Sequence, residues 1–171
     1  MLKIRSFQPS DGEAVRCLFT QGQLDFAQGS ELEEEVRRYI QYSLSDDLSD
    51  IFRHYLRSPG NHFWVAEVDG QIKGMVGIQR RNDGEAELRR MSVAADSRRQ
   101  GIGGRLLETA EDFCREQGYR RIHLTTVSHL KPAIALYRKF GYQLTDEDQY
   151  GRTMARHFVK YLSDPLNNNE A

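Results

Sequence analysis

The chain has 171 residues, 39% hydrophobic and 29% charged, which suits one globular domain large enough to bury a core without staples. Its formal net charge of −1 leaves no overall positive field, so recognition of nucleic acid or acidic membrane by bulk charge is excluded and only local patches remain. Cys17 and Cys114 have no CxxC or paired Cys/His spacing, and no apolar run approaches the ~18 residues of a membrane helix. Both cysteines sit at apolar-periodic helix positions and read as small buried hydrophobes. The start, Met1 to Phe7, alternates and carries charge instead of resembling a leader, so a cytoplasmic protein is expected.

In chain order, Leu2 and Ile4 alternate with Lys3 and Arg5 as a short strand. Pro9-Ser10 opens a helix that Ser10 can cap, with Glu13 closing a capping box. An amphipathic stretch follows from Glu31 to Leu44, then a shorter helix from Asp47 to Leu56, ended by Ser58-Pro59-Gly60. Phe63–Val68 and Gln71–Arg80 form a hairpin about Asp69-Gly70, with Gly74 and Gly77 allowing close backbone approach. After a turn at Arg81–Gly84, the strand Glu85–Val93 carries apolar residues at Leu88, Met91 and Val93. The step of three from Leu88 to Met91 breaks the alternation, and a β-bulge absorbs such a slip.

Ala94–Gln100 is a loop, and Gly101–Gln117 a strongly amphipathic helix ended by Gly118. Arg121–Val127 is a strand, Pro132–Phe140 a helix ended by Gly141, and a strand begins at Tyr142–Leu144. Asp146, Glu147 and Asp148 read as an acidic loop, Ala155–Leu162 as the last strand, and residues 163–171 as a frayed tail. Nothing marks a domain boundary, so residues 1–162 form one unit.

The stretch with chemical content is Arg98-Arg99-Gln100-Gly101-Ile102-Gly103-Gly104-Arg105. Glycines remove side chains where backbone must approach a ligand, and a helix N-terminus offers unpaired N–H groups to a pyrophosphate. Arg98, Arg99 and Arg105 can add charge toward a further phosphate. No Lys-Ser/Thr follows the glycines and the G-x-G-x-x-G spacing is missing, so neither a Walker A loop nor a dinucleotide fingerprint is present. Taken alone, the glycines fit a phosphate loop and a plain tight turn equally well.

The pattern R-x-x-G-x-G at Arg98, Gly101 and Gly103 resembles the acetyl-coenzyme A signature of the GNAT N-acetyltransferase superfamily. Glu87-Leu88-Arg89-Arg90-Met91-Ser92-Val93 is similar to the bulged strand before that signature. Ala133-Ile134-Ala135-Leu136-Tyr137-Arg138-Lys139-Phe140-Gly141-Tyr142 is similar to its A-x-x-L-Y-x-x-x-G-F/Y helix. The likeness runs from about Leu2 to Leu162, and Phe63–Glu67 with Gly74–Gly77 resemble the camello-like branch. Many members carry Asn where this chain has Leu130, with Ser128 or His129 nearby to replace its polar contact.

The resemblance implies an α/β fold: a mixed, mostly antiparallel sheet of six to seven strands, one of them splayed, flanked by four to five helices. It implies acetyl-CoA as donor, a primary amine as acceptor, direct attack on the thioester, and no metal. Coenzyme contacts then fall to Met91, Ser92 and Val93, to Arg98, Arg99, Gln100, Gly101, Ile102, Gly103, Gly104 and Arg105, and to Ala133 and Tyr137. Met91 and Val93 act through backbone groups, and the Val93 N–H is placed to polarise the thioester carbonyl. Tyr137 matches the family's tyrosine near the coenzyme sulfur and can donate to the leaving thiolate; the alternative is a core-facing tyrosine with its hydroxyl at the surface. Glu87 is the candidate base, Glu85 the second, and His123 and His129 the alternatives; each also reads as an ordinary surface group. The acidic residues 146–148 can attract a cationic amine or be a solvated turn. A coenzyme-binding sensor without turnover is the rival reading. Nucleic-acid binding through the local cluster of Arg89, Arg90, Arg98 and Arg99 is weaker, because phosphates of a coenzyme account for part of it. The last strands can pair across a homodimer.

Overall fold

In the computed structural model the described residues are 1–162, so the expected frayed tail lies outside them. Seven strands form one sheet in the order β1-β2-β3-β4-β5-β7-β6. In chain order the elements are β1 (Leu2–Ser6), α1 (Gly12–Leu24), α2 (Glu33–Ser45), β2 (His62–Val68), β3 (Gln71–Asn82), β4 (Glu85–Val93), α3 (Ile102–Glu116), β5 (Arg121–Val127), α4 (Lys131–Lys139), β6 (Gln143–Tyr150) and β7 (Thr153–Tyr161). Every neighbouring pair is antiparallel except β4 and β5, which are parallel. The expected mixed, mostly antiparallel architecture is what forms. No helix of the described residues is long and apolar enough to cross a membrane.

The sheet buries both faces, and its alternation decides which residue goes where. On one face Trp64, Ala66, Val76, Ile78, Leu88, Ile122 and Leu124 pack against α3 and α4, which contribute Ile102, Leu106, Leu107, Ile134 and Tyr137. On the other, Phe63, Val65 and Met75 pack against α1, α2 and the segment after α2. Leu106 and Leu107 are fully enclosed, a burial worth about 1.5–3 kcal/mol for each such side chain. At Gly74 an added Cβ would stand 2.9 Å from Leu106 Cδ1 and 3.0 Å from Ile102 Cγ2, so the missing side chain lets α3 lie close on β3.

The β2–β3 turn takes positive φ at Asp69 (50°) and Gly70 (80°), as a two-residue hairpin loop requires. The slip between Leu88 and Met91 is a bulge: Gly77 pairs with Arg89 and Met75 with Ser92, so Arg90 and Met91 oppose Val76 alone. Arg90 absorbs the extra residue at φ 59°. Leu88 and Met91 thereby pack on the same core face.

Four expectations are corrected. The first helix is entered through a 3₁₀ turn at Pro9–Asp11 capped by Asp11, not Ser10; its carboxylate accepts the Gln8 N–H at 2.8 Å and is held by Arg5. The stretch from Asp47 to Leu56 is not one α-helix but a 3₁₀ turn at Asp47–Ser49 and a π-helical turn at Phe52–Leu56. The stretch as a whole still buries Leu48, Ile51 and Tyr55, while Asp47 is taken up by a buried ion pair. The acidic residues 146–148 belong to β6, not to a loop: all eight side chains of that edge strand are exposed, so no apolar alternation marks it. Cys114 is buried as expected, whereas Cys17 is exposed.

A candidate active-site cleft between two parting strands

Parallel pairing of β4 with β5 covers only Glu85–Glu87 against Arg121–His123. Beyond that point the strands diverge, and the β5-facing edge of β4 has no strand partner among the described residues. The bulge at Arg90–Met91 lies in the diverging part and turns the strand further. A cleft of about 280 Å³ opens there. Met91, Leu124, Leu130, Ala133 and Tyr137 line its α4 side, Phe19, Val36 and Tyr39 its α1–α2 side, and Tyr150, Thr153 and Ala155 its β6–β7 side.

The glycine loop leads from β4 into α3. Gly101 caps the helix at φ 79°, with open space where a Cβ would stand. The first helical N–H to bond back is that of Arg105, to the Gly101 carbonyl at 3.1 Å. The amides before it form the donor set at a positive helix end that suits an anion. Gly103 and Gly104 have another reason to be glycine: an added Cβ would lie 2.8 Å from Leu136 Cδ2 and 2.8 Å from Phe140 Cζ, respectively. They let α4 pack on α3.

The arginines separate into two groups. Arg99 and Arg105 are exposed beside the helix end, as is Gln100, while Ile102 is buried in the core. Arg98 is engaged within the protein, donating to the Val93 carbonyl at 3.3 Å and to Asp25 at 3.0 Å, with its guanidinium 4.8 Å from the Phe26 ring centre. Arg89 donates to Gln79 at 2.8 Å. Arg90 is buried. The surface cluster read from Arg89, Arg90, Arg98 and Arg99 therefore does not exist as one patch.

Tyr137 is buried at the α4 wall, its ring edge-on to Tyr142 with centroids 5.9 Å apart. Burial, with a smaller contribution from Tyr39, pushes its hydroxyl pKa above the usual phenol value. Glu87 lines the cleft and is the last β4 residue paired with β5, opposite His123. Glu85 is tied to Arg121, lies 3.6 Å from His123 and is not in the cleft wall. His129 is in the wall; its Nδ1 is 3.2 Å from Thr153 Oγ1, its Nε2 is buried without a protein partner, and burial lowers its pKa. Ser128 bonds to Thr153 Oγ1 at 2.9 Å and accepts the Met154 N–H. Ser92, named as a coenzyme contact, is buried on the α1 face, its Oγ 2.8 Å from a Cβ built on Gly22.

Sequence reasoning missed what holds the bulge. Arg90 grips Asp47 with two hydrogen bonds, Nη2 to Oδ1 at 2.6 Å and Nε to Oδ2 at 3.1 Å. Its Nη1 donates to Tyr39 Oη and Ser43 Oγ, each at 2.9 Å, and Tyr55 donates its hydroxyl to Asp47. Burial raises the Asp47 carboxyl pKa, but the Arg90 guanidinium outweighs it and holds the group below the ordinary value. Two adjacent arginines in a charged strand look like surface; only the bulge turns one of them inward.

The chain was compared with known proteins. Residues 29–142 match the model of the acetyltransferase (GNAT) family. The chain is 34% identical over 132 residues to N-acetyltransferase 8 from Homo sapiens, covering 72% of this chain and 58% of that protein. It is 39% identical over 102 residues to a probable N-acetyltransferase camello from Xenopus tropicalis, covering 58% and 47%. The chain thus spans about half the length of the curated relatives it matches. Among solved structures, a GNAT-family acetyltransferase from Staphylococcus aureus Mu50 superposes with a TM-score of 0.78 at 22% identity, covering 95% of this chain and all of that one. The PaiA N-acetyltransferase from Thermoplasma acidophilum, in complex with coenzyme A, gives 0.77 at 20% identity, covering 92% and 98%.

Proposed function

We propose, since this chain belongs to the acetyltransferase (GNAT) family, that it transfers the acetyl group of acetyl-CoA to a primary amine by direct attack. The observation that carries the reading is the cleft between β4 and β5, bounded by an unpaired strand edge. In that space the pantetheine arm replaces the missing strand, and the pyrophosphate caps α3 beside Gly101, with Arg99 and Arg105 close by.

The amine nitrogen attacks the thioester carbonyl carbon, a C–N bond forms, and the C–S bond breaks. Glu87 accepts the proton the amine loses, and it sits where the strands part. The oxyanion is met by the Val93 N–H. The Ala94 N–H donates to Lys73 on β3 at 2.8 Å, and strand alternation then turns the Val93 N–H the other way. Tyr137 donates to the departing thiolate; its raised pKa keeps it protonated as a donor. A reducing, cytoplasmic setting is our reading, supported by the exposed, unpaired Cys17 thiol.

The test is thiol release from acetyl-CoA across a panel of amines, with calorimetric titration of acetyl-CoA and CoA. Turnover with some amine is expected. Tyr137→Phe should lower kcat by roughly 10²-fold while coenzyme affinity stays near constant. Binding with no thiol release from any amine would make the chain a coenzyme-binding module instead.

A further inference from the structure

The cleft continues outward, between α2 and the β6–β7 turn, into a second hollow lined by Glu35, Arg38, Tyr39, Tyr42, Tyr150 and Gly151. Glu35, Tyr39 and Tyr150 line both spaces, so the hollow is a mouth of the same cleft. Tyr42 is 64% exposed and Tyr150 51% exposed, which leaves aromatic surface open at the mouth.

Glu35 is the acid common to mouth and cleft. The turn after β6 is shaped around it: an added Cβ at Gly151 would collide with its carboxylate, and the Arg152 N–H donates to Oε2 at 3.2 Å. Arg152 forms long ion pairs with both Glu35 and Glu31, at 4.0 Å each, and Arg38, which also lines the hollow, is turned to Glu34 at 3.2 Å, so a ligand cation would share Glu35 with Arg152. Oriented carboxylate and open tyrosine faces together favour a cation, by ion pairing and by the negative faces of the rings. A second carboxylate, Glu87, lies deeper in the same cleft.

We propose that Glu35, with Tyr42 and Tyr150, selects acceptors that carry a second positive charge, separated by a short apolar spacer from the amine that is acetylated. The inference rests on the acetyl-transfer reading. The far cation sits at the mouth, the spacer runs past Val36 and Tyr39, and the reacting amine reaches Glu87. Free diamines and basic side chains on a peptide share this chemistry.

The test compares kcat/KM for α,ω-diamines of increasing length with n-alkylamines of the same length, and for a lysine-containing peptide, in the parent chain and in Glu35→Gln. Diamines should be preferred by roughly tenfold, and Glu35→Gln should remove that preference through KM while monoamine turnover and acetyl-CoA affinity stay unchanged. Tyr42→Ala, at an exposed position, should weaken the same preference without affecting folding. Peptide turnover with the same dependence on Glu35 would support the site and name the peptide as a source of the cation. Equal or better use of monoamines, or a preference that survives Glu35→Gln, would overturn the assignment while leaving acetyl transfer standing. Absence of thiol release with every amine tested would overturn the transfer reading, and this one with it.

Discussion

At the residue scale, Arg90 decides the shape of the cleft wall. A non-glycine residue at φ 59° costs about 1 kcal/mol or more, and the buried grip on Asp47, Tyr39 and Ser43 offsets it. Breaking such a pair from one side leaves an uncompensated buried charge. Asp47→Ala should therefore destabilise the fold by about 3–5 kcal/mol at pH 7, read by denaturant unfolding. The sign of the pH dependence follows from the depressed Asp47 pKa. The stability it confers is present above the ordinary carboxylate range and is lost as pH falls through the folded value, so the gap between parent and Asp47→Ala should shrink in acid. Tyr137 gives the opposite limb. Burial holds its pKa above 10, so kcat should show no loss from phenol ionisation up to that pH, and an earlier basic limb in the rate profile would remove Tyr137 as the donor.

At the scale of elements, the contact between α3 and α4 depends on two absent side chains. Gly104→Ala places a Cβ against Phe140, and overpacking of this kind costs about 1–3 kcal/mol. Phe140→Leu should recover part of that loss, a non-additivity visible in a double-mutant cycle of melting temperatures. Gly101 is the cleaner probe of the loop, because open space surrounds its missing Cβ. Gly101→Ala should weaken acetyl-CoA binding with little effect on core packing, beyond the strain of its positive φ. The elements that were legible in sequence carry strong local chemistry: Asp69-Gly70 for the hairpin, Leu88 to Met91 for the bulge, and the apolar stripe and end glycine of α3. Three features were not. β6 has no apolar side, so alternation had nothing to report. Phe52–Leu56 winds as a π-turn, which keeps a helical apolar pattern. Glu35 enters the cleft mouth only because the chain returns more than a hundred residues later with Gly151 beside it.

At the scale of the whole molecule, the sheet carries a separate apolar cluster on each face, and the cleft reaches residues of both. Tyr137 belongs to one cluster and Phe19 to the other, so coenzyme and acceptor sides of the proposed site rest on different layers. A ligand held between them ties the layers together. Saturating acetyl-CoA should raise the melting temperature by mass action, and hydrogen-exchange protection should grow on α2 as well as on α3; protection confined to α3 would show that the layers respond independently. The sheet also has an end that nothing covers among the described residues. β6 lies outermost, with Glu147 paired to Arg156 and Asp148 to His157 at 2.9 and 2.8 Å. An uncovered strand edge is a template for adding another strand, and a run of like charge keeps a second copy at a distance. We expect the three acids, two of them paired to β7, to disfavour such pairing: replacing Asp146, Glu147 and Asp148 by their amides should increase light scattering with concentration relative to the parent chain.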